Sequence, residues 1–143
     1  MNRVKRIWLG SAVAILALVS GSGGAMAGTF ATVSATGVSF TGGIYSFDPW
    51  PCNSTCVSGQ WSGMQYSGTL NDTAEDGHST KAQAKVDGYG YATAVTLATD
   101  AGSRAVAQHI YAGADPAQTG VVQVCTVISL TPDKCATSAT LRR

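Results

Sequence analysis

The chain has 143 residues, 12% charged and 45% hydrophobic, with nine Lys and Arg against eight Asp and Glu for a formal net charge of +1. That is the size of one domain built on one hydrophobic core. Its few, scattered cations exclude the basic footprint of a nucleic-acid binder and the polybasic cluster of an anchor to anionic membranes.

Taken from the start, Arg3, Lys5 and Arg6 precede an apolar run from Ile7 to Val19, and a small-residue tract ends in Ala25-Met26-Ala27. These are the three parts of a secretory signal peptide over residues 1–27. The apolar run is short for a bilayer span, and Ser20-Gly21-Ser22-Gly23-Gly24 follows it in place of a basic flank. Cleavage between Ala27 and Gly28 is expected, leaving residues 28–143 as a single secreted, extracellular domain without a transmembrane segment. The three leader cations leave with it, so six Lys and Arg face eight Asp and Glu, a net charge of −2.

Export to an oxidising compartment makes two disulfides the expected state of the four cysteines, Cys52, Cys56, Cys125 and Cys135. Three connectivities are open, and the spacing makes Cys52–Cys56 and Cys125–Cys135 the economical one. Each short loop would add about 2–3 kcal/mol in the loop-entropy account. Zinc would call for closer pairs such as Cys-x2-Cys with histidine nearby, and neither cysteine pair has that pattern.

Strands dominate the rest. Short ones are expected at Ala31 to Ala35, Val38 to Phe40 and Ile44 to Phe47, the last two divided by a turn at Gly42-Gly43. From Met64 to Asn71, Met64, Tyr66, Gly68 and Leu70 alternate with polar residues, and from Thr80 to Val86 small apolar residues alternate with Lys81, Gln83 and Lys85. Both are half-buried strands. The intervening Asp72 to Ser79 contains an Asp-Gly step, which predicts a hairpin. Tyr91 to Ala98, Ala105 to Tyr111 and Val121 to Leu130 follow; in the first, β-branched residues and flanking glycines favour strand over a short alanine-rich helix. Ser138 to Arg143 reads as an edge strand or a loose tail. The expected fold is all-β, an antiparallel β-sandwich of about 7–9 strands, with a closed β-barrel as the alternative.

Candidate chemistry is sparse. Asp72, Glu75 and Asp76 share one turn with His78, with Asp87 expected near them across the hairpin. These carboxylates would suit calcium, the one cofactor the residues suggest, although a solvated turn needs the same residue types. Trp50 and Trp61 flank the Cys52–Cys56 loop and offer stacking platforms for a sugar or peptide, or else cover one end of the sandwich. Tyr89 and Tyr91 straddle Gly90 as a second ligand surface, although packing between the sheets is the simpler account of them. No nucleophile motif accompanies His78 or His109: Gly59-Gln60-Trp61-Ser62-Gly63 places its serine one residue too late for a nucleophile elbow. No catalytic residue is therefore assigned.

Gly68 to Ser79, Val86 to Gly90, Gln123-Val124-Cys125 and Leu130 to Cys135 together resemble a largely uncharacterised group of small secreted β-rich proteins of filamentous, high-GC Gram-positive bacteria. The resemblance spans Met64 to Cys135, implies a Cys125–Cys135 bridge and brings no catalytic or binding residues. The expected function is a secreted, non-enzymatic binding or interaction module whose partner is an extracellular protein or glycan. A proteinaceous inhibitor of extracellular proteases or glycosidases, working through the loop closed by Cys125 and Cys135, is the first alternative. A small secreted hydrolase is the second.

Overall fold

The computed structural model describes residues 27–48, 63–98, 102–112 and 116–143. Trp50, Cys52, Cys56 and Trp61 lie outside them. The described residues form ten strands and no helix: β1 (Ala27–Phe30), β2 (Val33–Ala35), β3 (Val38–Phe47), β4 (Gly63–Asp72), β5 (Ser79–Val86), β6 (Val95–Leu97), β7 (Ser103–Tyr111), β8 (Thr119–Val127), β9 (Lys134–Thr137) and β10 (Leu141–Arg142).

Two open antiparallel sheets of five strands result, in a sandwich-like arrangement. The first runs β1-β3-β4-β7 with β2 also on β3; the second runs β10-β8-β5-β6 with β9 also on β8. The sheets do not close, so the barrel alternative is set aside. Each sheet finishes one edge with two short strands placed end to end on a longer one. Such short edges offer little backbone for pairing with another chain. Strands of two to four residues hold too little alternation to be read from sequence, which is why ten are found among the described residues where fewer were expected.

Two expectations are corrected. The Gly42-Gly43 turn is instead a β-bulge inside a continuous β3: the β3–β4 register jumps between Thr41 and Ile44, setting two glycines opposite Gly68. Gly42 takes φ +63°, a conformation open to glycine at little cost. The extra residue flips the alternation, so Val38 and Phe40 before it and Tyr45 and Phe47 after it face the same core.

The hairpin between Met64–Asn71 and Thr80–Val86 does not form. Both edges of β4 are already taken by long ladders with β3 and β7, and both edges of β5 by β8 and β6. Residues 73–78 therefore cross from one sheet to the other. The Asp-Gly step still turns the chain, with Gly77 at φ +74° and the His78 N–H donating to Asp76 Oδ1 at 3.0 Å. Of the two readings of Ser138 to Arg143, the edge strand is found, over Leu141–Arg142 alone, with Leu141 buried and opposite Gly120 of β8.

The core is asymmetric. The first sheet contributes Phe40, Phe47, Met64, Tyr66 and Leu70, all but buried from solvent, and the second contributes Ala82, Ala84, Val86, Val122 and Val124. Large side chains on one sheet thus meet small ones on the other. Rings run in sequence across the first sheet: Tyr66 to Phe40 at 6.0 Å, Phe40 to Phe30 at 5.9 Å, Phe30 to Tyr45 at 6.5 Å and Tyr45 to Phe47 at 5.8 Å between centroids. Glycine makes room for them. A Cβ on Gly68 would sit 2.3 Å from Phe40 Cε1 and 2.8 Å from the Thr41 carbonyl oxygen, and one on Gly120 would sit 2.6 Å from Met64 Sδ.

Gly68→Ala should therefore lower stability by about 1–3 kcal/mol, read as a fall in the urea midpoint at unchanged m value. Gly90→Ala, where an added Cβ meets nothing within 4 Å, should leave the midpoint in place. Equal effects from the two would contradict this packing.

Candidate functional site

Beyond Val127 the chain leaves β8, turns through Ser129 and Leu130, and returns as β9. Cys125 and Cys135 face each other directly in the β8–β9 register and are joined by a disulfide with Cα atoms 4.1 Å apart. The Cys125–Cys135 bridge expected from the sequence is present; Cys52 and Cys56 are outside the described residues. With a sequence separation of 10, the bridge removes about 2–3 kcal/mol of unfolded-state entropy in the loop-closure account.

Asp133 fastens the loop a second time. Its Oδ2 accepts from Lys81 Nζ of β5 at 2.6 Å, and its Oδ1 accepts from the Ile128 N–H at 3.3 Å. The hydrogen bond from Lys81 holds the Asp133 carboxyl below its ordinary range, with the Ile128 N–H acting in the same direction. At the tip the Thr131 N–H points back to the Ile128 carbonyl at 3.5 Å. Leu130 lies between them at φ +67°, the one described non-glycine residue with a positive φ, and the residue is fully exposed. A leucine in this conformation costs on the order of 1–2 kcal/mol. It contributes no burial in return.

The second surface is the outer face of the first sheet. Three cross-strand rows follow from the register: Asp48, Gly63 and Tyr111; Ser46, Gln65 and His109; Ile44, Ser67 and Ala107. His109 Nε2 lies 2.6 Å from Asp48 Oδ2, although β4 separates the strands that carry them. The pair meets across the row where β4 has glycine. A Cβ on Gly63 would fall 1.8 Å from the Ile110 carbonyl oxygen, so the position admits no side chain. Tyr111 packs edge-on to the His109 ring, centroids 4.3 Å apart, and remains half exposed. The second and third rows line a shallow trough of about 410 Å³, and Tyr111 stands beside it against the His109 ring.

His109 is a half-exposed strand residue, as expected, but its partner Asp48 lies 61 residues away and no local pattern announced it. The pair is two-thirds of a hydrolase triad in type. No serine or cysteine among the described residues hydrogen-bonds the His109 ring.

Tyr89 and Tyr91 do not pack between the sheets. They follow a turn in which Gly88 has φ +78° and the Tyr89 N–H donates to the Val86 carbonyl at 3.1 Å. The two residues are 48% and 36% exposed, and Lys85 Nζ lies 4.9 Å from the Tyr91 ring centroid. Partial burial raises the Tyr91 phenol.

The acidic residues are dispersed. Asp72 ends β4 as a buried side chain whose Oδ1 accepts the Ala74 N–H at 3.1 Å, and Asp76 closes its own turn. Glu75 lies on the crossing between them. Asp87 is at the far end of β5, about 26 Å away along an eight-residue strand, and not across a hairpin. There its Oδ1 accepts the N–H groups of Gln118 and Thr119, each at 3.0 Å. Among the described residues no three His, Cys, Asp or Glu converge as metal ligands would.

The depressed Asp133 carboxyl gives a pH prediction. A carboxyl lowered in the folded state contributes stability above its unfolded value near pH ~3.9 and loses that contribution as pH falls through the folded value. The Ile128 amide shift should accordingly titrate with a midpoint below that of an unpaired Asp, and Lys81→Met should move the midpoint up. An unchanged midpoint in the variant would contradict the pairing.

The chain matches no family model, no curated protein and no solved structure, which leaves these two surfaces as the grounds for a functional reading.

Proposed function

We propose that the protein is a secreted, non-enzymatic binding module that presents the 128–133 loop to a protein partner, with Leu130 as the anchor inserted into an apolar pocket. The observation that carries this reading is a fully exposed leucine at φ +67° on the tip of a loop fastened by a disulfide and by Asp133. Backbone strain held in place by its surroundings is a feature of functional segments. Fixing the loop before contact reduces the ordering cost of association. A buried aliphatic anchor at the centre of a small contact can supply much of its free energy. The signal-like leader and the disulfide support an extracellular setting.

The inhibitor reading uses the same disulfide-closed loop. A protease cleft that takes up a segment by strand addition needs extended backbone, and the turn at Leu130 is not extended. A non-hydrolase protein surface is therefore the preferred partner.

Leu130→Asn and Leu130→Asp separate function from stability. Asn tolerates positive φ, so Leu130→Asn should raise unfolding stability by about 0.5–1 kcal/mol. Retention of secreted proteins from the producing culture on immobilised protein should fall at least tenfold with Leu130→Asp and stay unchanged with Thr137→Asp on β9. Equal retention by Leu130→Asp and the unsubstituted protein would overturn the proposal. Dose-dependent inhibition of a secreted protease or glycosidase that requires Leu130 would select the inhibitor reading, and substrate turnover the hydrolase.

A further inference from the structure

The outer face of the first sheet is unusual in its charge. The outward positions of β1, β2, β3, β4 and β7 carry Ser, Thr, Asn, Gln, Ala, Gly and Ile, with His109 and Tyr111, and neither Lys nor Arg. Asp48 is its one carboxylate among the described residues, 9% exposed and held by His109. The outer face of the second sheet, by contrast, carries Lys81 and Lys85. An ordinary solvated sheet face is studded with charge. This one is polar without it.

The trough lies in the middle of that face. Its depth comes from side-chain length: Ser46, Ser67 and Ala107 are short on three adjacent strands, with Ile44 and His109 standing at opposite corners and Gln65 between them. Ile44 is 52% and Tyr111 51% exposed. A volume of about 410 Å³ lies within the range of small-ligand sites.

Each class of ligand meets a physical test here. An anion would find neither Lys nor Arg. A cation would find a single carboxylate, largely covered and already hydrogen-bonded. A purely apolar ligand would strip water from the Ser46 and Ser67 hydroxyls and the Gln65 amide without replacing their hydrogen bonds, at a cost per group that apolar contact with Ile44 alone does not offset. A neutral, polyhydroxylated molecule with one apolar face meets all three conditions. Its hydroxyls pair with Ser46, Ser67 and Gln65, and its C–H face lies on the Tyr111 ring or on Ile44.

From this juxtaposition we infer that the trough formed by Ser46, Gln65, Ser67 and Ala107, between Ile44 and the His109–Tyr111 pair, is a binding site for an uncharged oligosaccharide. The Asp48–His109 pair has a positioning role: it fixes the imidazole on which Tyr111 rests. The site is on the other sheet from Leu130, so it is separate from the protein contact proposed above and its test stands apart from that one.

The experiment is a titration of isotopically labelled protein, followed by backbone amide shifts, with cellohexaose, hexa-N-acetylchitohexaose, maltohexaose, xylohexaose and laminarihexaose, and with hexagalacturonate as an anionic counterpart of the same length. At least one neutral hexasaccharide should shift the amides of Ser46, Gln65, Ser67 and Ala107 saturably. Hexagalacturonate should bind at least tenfold more weakly. Tyr111→Ala should weaken binding at least tenfold, and Ser67→Phe, which fills the floor, should abolish it; Ala107→Phe does the same from the neighbouring strand should Ser67→Phe fail to fold. The inference is overturned by silence from all five neutral sugars, by shifts confined to the second sheet, by undiminished binding in a folded floor-filling variant, or by equal binding of hexagalacturonate. Concentration-dependent broadening of these amides without sugar would overturn it as well, because the occupant would then be a second copy of the chain.

Discussion

The fit of the first sheet's large side chains against a glycine of their own sheet and against the small residues and glycine of the other governs the rest of the structure. Phe40, Met64 and Tyr66 are essentially inaccessible to solvent, and full burial of side chains of this size stabilises by about 1.5–3 kcal/mol each. They reach that burial only because Gly68 leaves space for the Phe40 ring and Gly120 for the Met64 thioether. This places β4 at the centre of one sheet and β5 at the centre of the other, although only six residues separate them in sequence. The chain between them must cross the sandwich and cannot fold back as a hairpin.

Two outer faces of different character follow. The first sheet's outward positions are uncharged apart from the Asp48–His109 pair. The second sheet's outer face holds Lys81, Lys85 and the Gln83–Gln123 hydrogen bond at 2.7 Å, and it supplies the Lys81 anchor of the 128–133 loop. An exposed ion pair is by itself worth little. Here its consequence is positional, because the same Asp133 side chain also accepts from the Ile128 backbone and so ties the loop tip to the sheet. The disulfide, the ion pair and the turn act on one short segment, and Leu130 stands at its end.

How much of this was legible in the sequence depended on whether the deciding contact was local. Alternation from Met64 to Asn71 and from Thr80 to Val86 reports each strand's inner face, and those two strands were read nearly to their ends. The bulge at Gly42-Gly43 defeats the same reading by shifting the phase of β3 in mid-strand. A hairpin and a sheet-to-sheet crossing share one local signature, two alternating runs around an Asp-Gly step, and the choice is made by the distant strands β3, β7 and β8 that occupy the edges. The Cys125–Cys135 bridge was legible from spacing. The exposure and backbone conformation of Leu130 were not, since leucine carries no turn signal and the run from Val121 to Leu130 looks like one strand. Asp48 and His109 meet only through the registers of β3, β4 and β7, and no feature of either residue's neighbourhood points to the other.

Presentation of Leu130 to a partner requires the 128–133 loop to be a fixed display and not a flexible connection. Backbone ¹⁵N order parameters test this most directly. With the disulfide oxidised, Ser129, Leu130 and Thr131 should give values near about 0.85, as in the rigid backbone of β5 and β8; values below about 0.6 would describe a mobile tip and contradict the claim that Leu130 is held ready for a partner.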